Sequence, residues 1–167
     1  VMAPLQRTSR HGRPAVSCWF QPLEAAISLH HHRDGTGFFV VRDAGRLPAW
    51  ESAAPLRALL RWSLADQGLH LVHAASVGVE GRGVLLPGQG GSGKSTTTAL
   101  CALAGLQTTG DDYVVLDPGA RSVHALYRTV KLAGDLVERV VERRLGPGAA
   151  FPAGFEAGHG KRAYWLD

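Results

Sequence analysis

The stretch Gly88-Gln89-Gly90-Gly91-Ser92-Gly93-Lys94-Ser95 fits G-x-x-x-x-G-K-[ST] in full. It follows the apolar run Gly83 to Leu86 and leads into Ser95 to Leu106, which has helical composition and stops near Gly105. The chain is therefore committed to a strand, a tight loop and a helix start in succession. The glycines let successive backbone N–H groups turn inward, the helix N-terminus adds partial positive charge, and Lys94 can reach the β- and γ-phosphates of a nucleotide. Ser95 is the expected magnesium ligand, and Thr96, next on the helix start, completes the expected nucleotide-binding set. The motif thus predicts ATP and Mg2+ as ligands. The plain alternative is a glycine-rich turn with an exposed lysine. Asn-Lys-x-Asp and Leu-Ser-Gly-Gly-Gln are both missing, which excludes guanine-reading GTPases and transport ATPases.

With 167 residues the chain predicts one domain, 16–167 with its core over 69–145, preceded by a flexible N-terminus over 1–15. Hydrophobic residues make up 45%, charged residues 19%, and the net charge is +4. That balance is far from both disorder and a polybasic arm. The basic residues are 15 Arg and 3 Lys, scattered without a block, so no nucleic-acid partner is expected. Cys18 and Cys101 stand far apart with no Cys-x-x-Cys, and no apolar run approaches a membrane span. The expectation is a cytoplasmic protein without membrane contact.

Val16 to Phe20, Ala26 to His31 and Gly37 to Arg42 read as antiparallel strands, with Asp34-Gly35-Thr36-Gly37 turning the last two into a hairpin. Leu56, Leu59, Leu60 and Leu64 share a helical face over a helix ending near Gln67. Leu69 to Val79, Gly83 to Leu86 and Tyr113 to Leu116 read as strands, the last two buried on both faces. Ser122 to Tyr127 is a further strand candidate. Leu136, Val137, Val140, Val141 and Leu145 mark an amphipathic helix, and the chain then reads as loop until Ala163. Asp117 ends an apolar run as a magnesium-binding acid would, yet it precedes Pro118-Gly119 and reads better as a turn.

Asp111-Asp112 precedes a strand and suits metal and proton chemistry: one carboxylate can hold magnesium while the other accepts a proton from an attacking hydroxyl. His73 lies in the strand leading toward the loop; His70 differs from it by an odd number, so only one of the two can face a site. A satisfied core histidine is the alternative. His30-His31-His32 resembles a metal cluster in composition alone and is expected to be a solvated strand end.

His73, the loop Gly88 to Ser95 and the pair Asp111, Asp112 occur in the order and spacing of the catalytic domain of HPr kinase/phosphorylase, which the segment Leu69 to Leu116 resembles. That family is similar in fold to phosphoenolpyruvate carboxykinase. The resemblance implies an α/β fold, a mixed-sheet P-loop kinase domain, acting on a serine-bearing protein or peptide. It implies Asp112 as base, Lys94 as phosphate clamp, Ser95 and Asp111 toward magnesium, and His73 as a phosphate-facing partner. It also raises self-association, and phosphorolysis, in which inorganic phosphate removes the group and yields pyrophosphate. Two departures stand out. The family's loop is followed by Glu where Thr96 stands here, and its later Glu-x-Arg-Gly signature is missing. Arg128 to Leu132 occupies that region, where Arg128 and Lys131 can neutralise phosphoryl charge and Asp135 or Glu138 can replace the missing acid. The Thr-Thr-rich loop, His-Ala-Ala-Ser (73–76) and Gly-Asp-Asp-Tyr are similar to peptide-tailoring serine kinases, the lasso-peptide type among them. Tyr164 to Asp167 reads as a strand cut short, so a longer parent protein is expected. A non-catalytic P-loop sensor module and a small-molecule kinase remain the competing readings.

Overall fold

The computed structural model describes residues 7–8, 14–127, 129–134, 143, 154–158 and 160–165. The chain divides into two compact units, Val1–Leu71 and Val72–Asp167.

In the first unit β1 (Arg7–Thr8), β2 (Pro14–Gln21), β3 (Ala26–His31) and β4 (Gly37–Val41) form an antiparallel sheet in that order. The β3–β4 turn works as its residues dictate. Gly35 takes a φ of 73°, and the Asp34 carboxylate accepts the Thr36 N–H at 2.9 Å, which holds that carboxyl down to about 2. A 3₁₀ turn (Ala44–Arg46) and the short α1 (Ala49–Ala53) lead to α2 (Arg57–Asp66), the leucine-faced helix, which packs on β3 and β4. Along β3 the side chains alternate with the pleat: Ala26, Ser28 and His30 are buried, whereas Ile27, Leu29 and His31 are half-buried. His30 is only 1% exposed, which corrects the expectation of a solvated histidine run. The reason is that His30 and His32 find an acid on α2, Asp66, that local sequence does not reveal.

The second unit is built on β5 (His70–Val79), which begins at the boundary, β6 (Arg82–Pro87), α3 (Lys94–Leu103), β7 (Gln107–Gly110), β8 (Tyr113–Asp117), β9 (Ser122–Ala125), β10 (Thr129–Ala133), β11 (Phe155–Gly158) and β12 (Lys161–Trp165). One sheet runs β6-β5-β8-β9 with β7 also on β5; the other runs β10-β12-β11. The core collects Ala74, Ala75, Val114, Leu132 and Ala163, each at most 1% exposed, and α3 packs against β7 and β10.

This architecture corrects the expected α/β, mixed-sheet P-loop kinase domain: the chain is mostly antiparallel sheet with few helices. The physical reason lies in the connections. Glu80 and Gly81, both at positive φ (50° and 75°), join β5 to β6 in a two-residue turn, and such a turn can only return the chain antiparallel. As a result β6 is an edge strand and not a strand buried on both faces, and its Val84 is 59% exposed. β11 likewise forms where the sequence reads as loop, because β12 offers it an edge. Arg128, Asp135, Glu138 and the helix expected over 136–145 lie outside the described residues, Arg143 excepted. Among the described residues no helix is long and apolar enough to cross a membrane.

Candidate functional site

The glycine-rich loop joins the end of β6 to the start of α3, as the motif requires. Gly93 caps the helix at φ 89°, a conformation that strains any side chain, and its carbonyl accepts the Thr97 N–H at 2.9 Å to close the first turn. Lys94 opens α3 and folds back over the loop, where its Nζ donates to the carbonyls of Gly88 at 2.6 Å and Gln89 at 3.0 Å. The ammonium is thereby held inside the curve of the loop. Ser92 N–H donates to Gln89 O at 3.2 Å; Gly90 and Gly91 are exposed beside it. Ser95 is half-buried, and Thr96 lies exposed on the first turn of α3.

The acidic pair follows β7, and β7 is fixed to β5 by side chains as well as backbone. Thr108 Oγ1 donates to Ser76 O at 2.7 Å, Thr109 N–H donates to Ser76 Oγ at 3.1 Å, and the Ser76 and Thr109 hydroxyls bond each other. Gly110 then turns the chain at φ 153°, with Tyr127 O and Val114 close to where a Cβ would stand. Asp111 and Asp112 emerge from this turn with different surroundings. The Asp111 side chain is buried at 1% exposure, and its Oδ2 accepts the Lys131 N–H at 3.0 Å. Its Oδ1 has no hydrogen-bond partner. Burial pushes the Asp111 carboxyl above its ordinary range, against the pull of the Lys131 N–H and the Ser95 side chain.

Asp112 is less enclosed and is the hub of a charge cluster. Its Oδ1 lies 3.0 Å from His73 Nε2, and its Oδ2 accepts from Lys131 Nζ. The His73 ring stacks on Tyr113 at 4.9 Å between centroids, and Tyr113 meets Tyr127 edge-on. Desolvation lowers the His73 pKa; Asp112 pulls the other way, and the positive charges of Lys94 and Lys131 add to the lowering. The imidazole pKa therefore lies below its ordinary value, and Nε2 faces Asp112 Oδ1. His70, the other strand histidine, is exposed.

The structure thus brings His73, Asp111, Asp112 and Lys131 into one cluster, with Ser95 beside Asp111, while Lys94 stays on the loop carbonyls and bears on His73 through its charge. Lys131 holds Asp111 through its backbone and Asp112 through its side chain. Arg128 lies outside the described residues. Asp117 accepts the Ala120 N–H at 2.9 Å and belongs to the β8–β9 turn. Sequence reading missed the Ser76–Thr108–Thr109 clasp and the Tyr113 stack; the adjacent pair Thr108-Thr109 just before Gly110-Asp111-Asp112 is the signal that could have found the clasp. No family model, no curated protein and no solved structure matches the chain.

The buried Asp111 carboxylate makes a stability prediction. A carboxyl whose folded-state pKa is raised contributes stability below its unfolded value of 3.8 and loses it as pH rises through the folded value. Asp111→Asn removes that loss, so at pH 7 without nucleotide its thermal midpoint is expected to rise by about 2–4 °C per kcal/mol of relieved burial cost. The advantage disappears toward pH 3.8. A midpoint below the parent's at pH 7 would contradict the account.

Proposed function

We propose that this chain is an ATP- and Mg2+-dependent serine kinase of the HPr-kinase-like class, transferring the γ-phosphoryl group to a protein or peptide hydroxyl. The observation that supports the reading is Asp112 held between His73 Nε2 and Lys131 Nζ in the unit that carries the glycine-rich loop and Lys94. Phosphoryl transfer asks mainly for positioning and charge neutralisation, together with a carboxylate that takes the hydroxyl proton. Asp112 fits that role. Both its oxygens are oriented by cations or N–H groups, and each keeps a further lone pair for the acceptor hydroxyl. Lys94 gives up its two carbonyl partners to bind the β- and γ-phosphates of the donor. His73 keeps Asp112 in place, and its lowered pKa works against a competing positive charge there. Magnesium fits the Ser95 hydroxyl and the orphaned Asp111 Oδ1, a buried oxygen otherwise without a partner. When bound there it supplies charge neutralisation on the phosphate oxygens. A cytoplasmic setting agrees with ATP as donor and with the two unbridged cysteines, Cys18 and Cys101.

A non-catalytic nucleotide sensor is the second reading, favoured by Thr96 in place of the loop glutamate and by the missing Glu-x-Arg-Gly. The deciding experiment follows γ-labelled ATP with magnesium, HPr and a panel of serine-containing peptides, serine-terminated ones among them. Label on a polypeptide is the expected result. ATP bound in a Lys94-dependent manner, with no label on any acceptor, transfers the assignment to the sensor.

A further inference from the structure

A second polar cluster lies in the first unit, apart from the phosphate loop and its chemistry. We propose that His30, His32 and Asp66 form a binding site for one divalent transition-metal ion of the zinc type. His30 is on β3 and His32 stands two residues on, just past the strand end, so the pleat puts both rings on the face that α2 covers. Asp66, the last residue of α2, meets them there. His30 Nε2 lies 2.8 Å from Asp66 Oδ2 and His32 Nδ1 lies 2.8 Å from Asp66 Oδ1, and one donor atom from each residue falls within 4.8 Å of the others. Bonds of about 2.0–2.2 Å to a tetrahedral ion need donors roughly 3.3 Å apart, a spacing that small side-chain rotations reach from here.

Each ring is held by a neighbour other than Asp66, and this is what distinguishes a ligand set from a simple histidine–carboxylate bond. His32 Nε2 is 2.8 Å from Ser17 Oγ on β2, a hydroxyl able to accept from an Nε2–H and so to support a ring that ligates through Nδ1. His30 stacks against Trp62 of α2 at 6.4 Å, edge-on to His32 at 4.8 Å. A hydrogen bond from the far nitrogen of a ligating imidazole is the usual support of a metal site. Access comes from one side: the His30 side chain is 1% exposed, His32 18% and Asp66 26%. Two neutral imidazoles and one carboxylate leave the fourth position of a tetrahedral ion open to water. Binding through Nε2 of His30 and Nδ1 of His32 requires each neutral ring to carry its proton on its other nitrogen. The ion would clip the strand sheet to the end of α2.

The test uses the whole chain, free of any purification tag, with Zn2+ and Co2+ as probes. One equivalent of Zn2+ is expected to survive dialysis, and Co2+ is expected to give the strong visible d–d absorption of a low-coordinate nitrogen–oxygen site, where six-coordinate oxygen sites of the Mg2+ type give only weak bands. His30 is too buried to change safely, so the variants are Asp66→Asn, His32→Gln and Ser17→Ala, each checked for folding by circular dichroism. The first two should weaken Zn2+ binding by at least about 10-fold, and Ser17→Ala by roughly 10-fold through loss of ring support. Folded parent protein that holds no Zn2+ and shows no cobalt bands overturns the proposal. So does binding that is unchanged in both Asp66→Asn and His32→Gln.

Discussion

Asp112→Asn is expected to lower transfer of labelled phosphate to a serine acceptor by about 10²–10⁴-fold while ATP affinity stays within roughly 3-fold of the parent. Asn keeps the shape of the side chain and can still accept from Lys131 or His73, so the cluster retains its geometry. What it cannot do is take the acceptor's proton. Removing a negative charge close to bound phosphates works toward tighter nucleotide binding, not weaker. The two readouts therefore separate. Isothermal titration with ATP and magnesium, beside single-turnover transfer, measures both on one preparation. ATP affinity that collapses while transfer survives would remove Asp112 from the proton-accepting role.

Lys94→Met removes the ammonium and keeps the length of the stem. ATP binding is expected to weaken by at least about 100-fold, or about 2.7 kcal/mol, because the charge meeting the phosphates is gone. Without nucleotide the change is small, since the lysine's partners are two carbonyls of a largely exposed loop. The rise in thermal midpoint that ATP gives the parent should disappear. A further signature lies on His73. Lys94 is one of the charges that hold the imidazole pKa down, so in the Met variant that pKa moves up, measurable by NMR titration. An unchanged His73 titration together with parent-like ATP affinity would mean that Lys94 stands apart from the site.

The elements carrying the site can be read in the chain because each has a local cause. The loop is legible from glycines with fixed spacing, α3 from composition, and β5 and β8 from β-branched runs. His73 and the Asp pair come together because β5, β7 and β8 share a sheet. The direction of the strands is another matter. An apolar run reads alike in a parallel and an antiparallel sheet, and the turn at Glu80-Gly81, which decides it, depends on a non-glycine residue at positive φ that composition does not announce. Lys131 was legible only as a basic residue in a suggestive place; its contact with Asp112 depends on β10 meeting the other strands near the Gly110 turn. Asp66 was invisible as a partner of His30 and His32, because 34 to 36 residues and a helix separate them. Contacts of that range are set by packing and have no local signature.

The clasp between Ser76 and the Thr108–Thr109 pair ties together two points 33 residues apart, and everything that would grip phosphate lies between them. Seen as topology, the second half of β5, β6, the glycine loop and α3 form a closed cassette whose ends are pinned beside one another. The entropy of closing such a segment grows only as the logarithm of its length, about 0.6 kcal/mol per doubling. Changes of length at the turn after α3 or at Glu80-Gly81 therefore cost little, because His73 and the two aspartates sit outside the closed segment and keep their register.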